Sequence, residues 1–331
     1  MIIEISNITN QIHGHKSSIN NLLKSINNSF NTSNTWMIEG AKGIGKSTLL
    51  KLIATNILKI KFDINDQSFI HPDLIVLEKD NKKKNITVEE IRNLKKLFFK
   101  TSFAGGYRVG LIDSISDFNN FGHNAILKII EEPPKDSFIF IINHQTINIP
   151  ATIKSRCKII KFNKLTTDEV YNILKNRNIS NNNDELKFYS EVSNGSVGDA
   201  IYFYNNDALN FYKKILIFFR NLKDVNQYDI LNFISLITNN KNQLFLIFHK
   251  LLNTFIDKII KYKTIEYKSF IIKEEEEGIK YLESLYEIEK IFYIKDMINN
   301  NFSIFSSLNT DLHSTIYSLL ITMRENFNSK D

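Results

Sequence analysis

The segment Gly40–Ser47 carries the strongest chemical signal in the sequence. It reads Gly-Ala-Lys-Gly-Ile-Gly-Lys-Ser and matches the pattern G-x-x-x-x-G-K-S at every fixed position. In such a loop the glycines let backbone N–H groups turn toward a phosphate, and the start of the following helix adds attraction. Lys46 is suited to reach the terminal phosphates of a nucleotide, and the Ser47 hydroxyl is suited to bind magnesium. The sequence therefore predicts a nucleotide-binding loop.

A second motif should supply the metal-holding acid. The apolar run Val109–Ile112 ends in Asp113, whose carboxylate is expected to hold Mg²⁺ through water. Many phosphate-loop enzymes have a glutamate directly after this aspartate, but here the next residue is Ser114, and Asp117 follows several positions later. Loss of a catalytic base lowers a rate by ~10²–10⁴-fold. The two motifs together predict binding of ATP or ADP with Mg²⁺ and, at most, weak hydrolysis.

The elements that must position these residues alternate along the first half of the chain. Short apolar runs predict strands, and segments with helical spacing separate them, so we expect a parallel sheet with helices on both faces. The predicted strands are Trp36–Glu39, Leu74–Leu77, Tyr107–Asp113, Phe138–Asn143 and Ile159–Phe162. The predicted helices between them are Ser47–Leu58, Thr87–Phe99 and Asn119–Glu132.

The pattern changes after Phe162, where helices replace the alternation. Three domains are predicted: a base domain over residues 1–163, a helical lid over 164–206 and a helical domain over 207–331. Aromatic and aliphatic residues at three- and four-residue spacing in the last domain indicate core packing rather than a cofactor site. The run Glu274–Glu277 is interpreted as an exposed helix face or turn. The predicted helices of the last domain are Phe211–Leu222, Asp229–Thr238, Gln243–Tyr262 and Gly278–Asn299.

Composition restricts the possible classes of protein. The 331 residues predict two or three domains, and the formal net charge of +6 favours contact with a polyanion without requiring it. The single cysteine, Cys157, excludes an intrachain disulfide and a multi-cysteine zinc site. There is no run of about 18 apolar residues that would span a membrane. The start at Met1 has no secretion pattern, so a cytoplasmic location is expected.

Five motifs occur in the order and spacing of a known family. The run Asn124–Pro134 is similar to N-A-L-L-K-x-L-E-E-P-P with conservative changes, and Thr152–Cys157 is similar to T-I-x-S-R-C. With these two, the chain resembles the AAA+ clamp-loader subunits of bacterial DNA polymerase III. The resemblance covers residues 10–205, and the C-terminal third is similar only in being helical. The other three motifs are His71–Leu74, Ile86–Arg92 and Gly106–Asp113.

The resemblance implies a fold and a set of site residues. The implied fold is an α/β AAA+ P-loop base domain with a parallel sheet, a small helical lid and an all-α collar that joins five subunits into a ring. Arg156 would act as an arginine finger in a neighbour's ATP site. Asn143 stands at the sensor position for a γ-phosphate, although a turn that caps the strand explains it equally well. The implied nucleotide contacts are Gly40, Ala41, Lys42, Gly43, Ile44, Gly45, Lys46, Ser47, Thr48, Asp113 and Asn143, with Ser47 and Asp113 also serving Mg²⁺.

Within this family, three absences favour the delta-prime branch over the gamma and tau motor subunits. Ser114 replaces the water-activating glutamate, and Gly198 stands where motor subunits have a nucleotide-sensing arginine. The segment before His71 has no cysteines, so the zinc module of the motor subunits is missing. The resemblance then implies a rigid subunit, itself at most a weak ATPase, that helps to load a sliding clamp onto DNA.

The expected partners follow from that role. They are the gamma/tau and delta subunits of a hetero-pentameric ring, the sliding clamp, and primer-template DNA contacted through its phosphates, with no membrane partner. Three alternatives stay open: a divergent gamma/tau-type motor, a stand-alone P-loop ATPase or nucleotide kinase, and an adaptor with a vestigial loop. ATP turnover by the isolated chain separates the first from the delta-prime hypothesis, and nucleotide titration separates the last.

Overall fold

A five-stranded parallel sheet organises the first half of the chain, as the alternation of strands and helices predicts. In the computed structural model the strands lie in the order β2-β3-β4-β1-β5, and all four neighbouring pairs are parallel. The strands are β1 (Thr35–Glu39), β2 (Leu74–Glu78), β3 (Arg108–Asp113), β4 (Ser137–Asn143) and β5 (Lys158–Lys161). The structure describes residues 8, 12–28, 34–60, 71–80, 85–103, 105–144, 149–238, 243–265, 269–308 and 311–328.

Helices cover both faces of this sheet, which explains why its inner strands are largely apolar. Alternate residues of β1 enter opposite cores, with Trp36 and Ile38 on one face and Met37 on the other. Burying each such side chain contributes about 1.5–3 kcal/mol, so this inner strand is strongly fixed in register. The helices of this half are α1 (Lys16–Asn27), α2 (Lys46–Leu58), α3 (Val88–Phe98), α4 (Asn120–Glu131) and α5 (Ala151–Lys154).

Side-chain caps start two of these helices at the predicted places. The Thr87 hydroxyl accepts a hydrogen bond from the Glu90 N–H, and the Glu90 carboxylate accepts one from the Thr87 N–H, which together form a capping box before α3. The Asn119 side chain accepts a hydrogen bond from the Gly122 N–H at 2.8 Å and caps α4. These caps fix the N-terminal ends of the two helices that precede and follow β3 in the chain.

The described remainder of the chain is helical, so the predicted α/β class with an all-helical C-terminal region is confirmed. Its core is rich in aromatic side chains, such as Tyr212, Phe219 and Phe255. The helices are α6 (Thr167–Asn176), α7 (Asn183–Val192), α8 (Val197–Asn205), α9 (Ala208–Arg220), α10 (Gln227–Thr238), α11 (Gln243–Ile265), α12 (Lys273–Leu285), α13 (Ile288–Leu308) and α14 (Leu312–Asn328).

The prediction of one continuous helix over Gly278–Asn299 is wrong, because the helical structure is interrupted between α12 and α13. The backbone at Tyr286 is extended (φ −115°, ψ 137°), and the side chain is buried, with its hydroxyl donating to the Met323 carbonyl. Lys263 Nζ donates to the Tyr286 carbonyl oxygen at 2.9 Å and to that of Glu283 at 3.0 Å. These bonds satisfy carbonyl groups that a helix end leaves open and stabilise the break.

The acidic run Glu274–Glu277 is only partly exposed, contrary to the prediction. Glu275 is fully buried, and its carboxylate accepts hydrogen bonds from Lys258 Nζ at 2.9 Å and from the Tyr212 hydroxyl at 2.6 Å. Lys258 also lies 2.7 Å from a carboxylate oxygen of Glu191 on α7. This buried network ties α7, α9, α11 and α12 together. A buried carboxylate of this kind is tolerated because it is paired and hydrogen-bonded.

By its contacts the chain divides into two compact units. One comprises Met1–Ile173 with Asn194–Gly198, and the other comprises Leu174–Ser193 with Asp199–Asp331. The predicted domain boundaries at residues 163 and 206 stay a prediction. Among the described residues, no helix combines the length and the apolar character that crossing a membrane requires.

Candidate phosphate-binding site

The loop Gly40–Ser47 connects β1 to α2 in the predicted strand–loop–helix order. α2 begins at Lys46, so the N-terminal end of the helix faces the loop. The Ile44 side chain is buried in the core beneath the loop, and the Ile44 carbonyl oxygen lies 3.0 Å from His15 Nε2. The backbone of the loop is therefore anchored from below. Lys42 points outward and is exposed, and Thr48 lies half-buried on the first turn of α2.

Lys46 holds a buried ammonium group at the centre of the loop. Its Nζ donates to the carbonyl oxygens of Gly40 at 2.7 Å and of Ala41. Burial lowers the pKa of Lys46 to about 8, and the Asp113 carboxylate opposes this shift. A phosphate would stabilise this desolvated ammonium group, because its charged oxygens are stronger hydrogen-bond acceptors than the neutral carbonyl oxygens that the group now contacts.

Asp113 and Ser47 lie together, as the two motifs predict. The Ser47 side chain is close enough to Asp113 to influence its pKa, and His144 Nε2 lies 3.6 Å from Asp113 Oδ1. Burial alone would raise the pKa of Asp113, but His144, Ser47 and the positive charge of Lys46 outweigh it, so the pKa is lowered and the carboxylate is charged at neutral pH. A hydroxyl and a carboxylate are the oxygen ligands that suit Mg²⁺ beside a phosphate. These donors fit a magnesium nucleotide.

Ser114, the residue after Asp113, is buried and forms a local hydrogen bond, and it supplies no carboxylate beside Asp113. The residue is fully buried, and its hydroxyl accepts a hydrogen bond from the Ser116 N–H at 3.1 Å. It thereby caps the short 3₁₀ turn Ile115–Asp117. Position 114 thus serves local structure. Asp117 instead pairs with Lys79, whose Nζ lies 3.1 Å from its carboxylate.

Asn143 is buried at the end of β4, and both ends of its side-chain amide are engaged. Its Nδ2 donates to Glu39 Oε1 at 3.1 Å, and its Oδ1 accepts from the Ser116 hydroxyl at 3.3 Å. Glu39 was not singled out from the sequence. The available signal was a carboxylate at the end of an apolar strand, one position before the first glycine of the loop. Lys154 Nζ lies 3.9 Å from the same Glu39 oxygen.

Gly43 and Gly198 bring the loop into direct backbone contact with the start of α8. The Gly198 N–H donates to the Gly43 carbonyl oxygen at 2.8 Å. A Cβ atom at residue 198 would lie 3.0 Å from Gly43 Cα, and one at Gly43 (φ +80°) would lie 2.2 Å from the Ser196 hydroxyl oxygen. The left-handed backbone of Gly43 favours glycine. A side chain at 198, such as that of arginine, fits only if the loop moves away by a few tenths of an ångström.

Arg156 is exposed on the turn between α5 and β5. Its Nε lies 2.9 Å from Glu131 Oε1, and its Nη1 donates to the Thr152 carbonyl oxygen at 2.8 Å. The neighbouring Cys157 is partly buried, and burial raises the pKa of its thiol to about 12, so it is not a nucleophile. The arginine is accessible from outside the subunit.

The structure thus gathers most of the predicted site residues at one edge of the sheet and leaves one elsewhere. The loop, Asp113 and Asn143 lie at the ends of β1, β3 and β4, which are neighbours in the sheet. Arg156 belongs to a separate element and contacts Glu131. Among the described residues there is no group of three or more His, Cys, Asp or Glu side chains that could hold a metal ion on its own. The roles of these residues stay predictions.

Comparison with known proteins identifies relatives for this arrangement. Residues 14–166 match the family model described as "DNA polymerase III, delta subunit". A subunit gamma of DNA polymerase III from Buchnera aphidicola subsp. Schizaphis graminum is 31% identical over 199 residues, which are 54% of this chain and 54% of the relative. A subunit delta' from Buchnera aphidicola subsp. Baizongia pistaciae is 29% identical over 161 residues, 46% of each chain. The chain spans about half the length of the curated relatives that it matches.

Solved structures give a more distant likeness. A gamma subunit-related protein of DNA polymerase III from Thermotoga maritima has 16% sequence identity and a TM-score of 0.44, over 93% of this chain and 99% of that one. A single-site variant of RuvB from Thermotoga maritima has 14% identity and a TM-score of 0.47, over 95% of this chain and 89% of that one.

Proposed function

We propose that this chain is a member of the clamp-loader family of AAA+ proteins and a delta-prime-type subunit of a DNA polymerase III clamp loader. In this role it binds nucleotide without splitting it efficiently, and it lends Arg156 to the ATP site of a neighbouring subunit. Its partners are gamma/tau and delta subunits, a sliding clamp, and the phosphates of primer-template DNA.

The main support is the loss of two charged groups from an otherwise intact phosphate-binding site. Ser114 is a buried cap where a water-activating carboxylate would stand. Gly198 packs backbone to backbone against Gly43 where a nucleotide-sensing arginine would stand. Lys46, Ser47 and Asp113 are retained, with a geometry that suits a bound magnesium phosphate.

The retained and the missing groups determine what chemistry the site can perform. A bound magnesium nucleotide would supply a polarised phosphoryl group. The N–H groups of the loop and Lys46 orient the phosphates, and Ser47 and Asp113 hold the cation. Asn143 is engaged by Glu39 and Ser116, and an amide is in any case too weak a base to take a proton from water. The site is therefore suited to holding a nucleotide.

The relatives include both gamma and delta' subunits, so the gamma/tau alternative stays open. The rate of ATP turnover separates it from the delta-prime role. The full chain, purified alone with Mg²⁺, is expected to bind nucleotide in a calorimetric titration and to release phosphate at a rate close to the background. Turnover near one per second would contradict the delta-prime role and favour a motor. Failure of the chain to co-purify with a cysteine-rich motor subunit and a sliding clamp would favour a stand-alone ATPase or kinase.

Replacement of Lys46 by alanine should remove the charge that holds the phosphates. We expect nucleotide affinity to fall about 10–100-fold, since a hydrogen bond to a charged group contributes about 1.5–3 kcal/mol. Titration calorimetry with ADP measures the change. The matched control is Lys42→Ala, which removes an exposed lysine from the same loop and should change the affinity less than about threefold. Equal losses in the two variants, or none in Lys46→Ala, would show that the loop does not bind phosphate.

A further inference from the structure

Glu39 is a buried carboxylate directly before the phosphate-binding loop, and the proposed function gives it no role. It ends β1 and faces Asn143 across the β1–β4 pairing. Burial of a carboxylate is unfavourable unless it is paired, and such groups concentrate at functional sites. Accepting the nucleotide-binding function proposed above, we propose that Glu39 determines the specificity of the loop and makes it prefer a nucleoside diphosphate over the triphosphate.

The first argument is the occupied amide of Asn143. Its Nδ2 donates to Glu39 Oε1 at 3.1 Å in a buried hydrogen bond, and the Ser116 hydroxyl holds its Oδ1. The amide nitrogen has two N–H groups, and the bond to Glu39 commits one of them and fixes the orientation of the amide, so reaching a terminal phosphate strains or breaks this bond. A hydrogen bond to an ionised acceptor is about twice as strong as a neutral one. Any strain on the bond between Asn143 and Glu39 accompanies the binding of a triphosphate and is absent when a diphosphate binds.

The second argument is charge. Glu39, Asn143 and Asp113 end three adjacent strands, and the terminal phosphate of a triphosphate on this loop lies toward that edge of the sheet. The Glu39 carboxylate therefore adds negative charge beside the extra phosphoryl group. Like charges roughly 7–10 Å apart in partly buried surroundings change an affinity by about tenfold.

The cations near this edge do not remove the repulsion. Lys154 Nζ lies 3.9 Å from Glu39 Oε1, beyond hydrogen-bond distance, and its side chain is 40% exposed, so solvent screens the pair. The Lys46 ammonium bonds to the Gly40 and Ala41 carbonyl oxygens, and it serves phosphates of both nucleotides. The charge of Glu39 thus acts selectively on the triphosphate.

Titration of the full chain with MgADP and with MgATP tests this inference. The unmodified chain should bind ADP about tenfold more tightly than ATP. Glu39→Gln keeps an oxygen acceptor for Asn143 and removes only the charge, so ATP affinity should rise about tenfold while ADP affinity changes less than about twofold. The matched control is Glu78→Gln, which removes an exposed carboxylate at the end of β2 and should leave both affinities unchanged.

Each outcome of this titration bears on a different claim. Equal binding of the two nucleotides by the unmodified chain would overturn the role of Glu39 and leave nucleotide binding intact. An ADP preference that persists in Glu39→Gln, with the fold verified by circular dichroism, would also overturn it. A chain that binds neither nucleotide would contradict both the proposed function and this inference. If Glu39→Gln instead abolished a slow ATP hydrolysis without altering the affinities, Glu39 would be a water-activating group, contrary to the inference.

Discussion

A clamp-loader ring assembled with Arg156→Ala in this chain should lose hydrolysis at one ATP site while the ring stays intact. Arginine fingers of related phosphate-loop proteins contribute ~10³–10⁵-fold to the rate, so we expect a loss of at least about 10³-fold at the site that Arg156 is proposed to complete. Because the other sites keep their own arginines, the loss is best measured as a pre-steady-state burst of phosphate release. The amplitude of the burst should fall by the contribution of one ATP site.

Three controls separate this effect from misfolding. Arg156 is exposed, and its ion pair with Glu131 contributes less than about 1 kcal/mol, so the thermal stability of the variant chain should be unchanged. Arg177→Ala removes another exposed arginine and should leave the burst unaltered. Arg156→Lys keeps the charge but loses the planar fork, so it should restore little activity. A full burst from an intact Arg156→Ala ring would refute the finger role.

Removal of the buried carboxylate of Glu275 should strongly destabilise the helical unit. Glu275→Ala leaves the Tyr212 hydroxyl and the Ile271 N–H without their acceptor and takes one of two carboxylates from Lys258. Breaking a buried pair by deleting one partner costs about 3–5 kcal/mol. Urea denaturation followed by circular dichroism measures the loss in the helices. Fluorescence of Trp36, the only tryptophan, reports the sheet unit in the same experiment.

The neighbouring residue provides the matched control. Glu276 lies on the same helix, and its pair with Lys280 at 2.6 Å is exposed, so Glu276→Ala should cost less than about 0.5 kcal/mol. Similar losses from the two substitutions would mean that the buried network is not what holds α7, α9, α11 and α12 together. A shift in the Trp36 transition equal to that of the helices would mean that the two units unfold as one.

The sheet and the phosphate loop could be predicted almost to the residue because their signals are local. Strands β1 to β4 are largely apolar on both faces, so their ends are marked by polar residues, as in β3 with Asp113. The loop pattern fixes both the end of β1 and the start of α2. Caps such as Thr87 and Asn119 mark helix starts that pattern reading places within one residue.

The errors arise where a contact distant in sequence decides the outcome. The break at Tyr286 is invisible to periodicity, because the apolar residues Ile279, Leu282 and Ile291 continue on both sides of it at near-helical spacing. The bond from Lys263 that stabilises the break comes from another helix. Glu275 lies in a run of four glutamates, which suggests a solvated surface, and only the fold supplies Lys258 as its partner. Glu39 was missed for the same reason, since Asn143 is brought to it by strand pairing.

The meeting of Gly43 and Gly198 restricts how this subunit could change in evolution. An arginine at 198 would place its Cβ atom 3.0 Å from Gly43 Cα, a distance tighter than ordinary van der Waals contact. The loop would have to retreat before the arginine gave any advantage, and the carboxylate missing beside Asp113 would still have to be gained at a buried position. A gain of both groups would therefore pass through intermediates in which the contact between the loop and α8 is disturbed before either group contributes to hydrolysis.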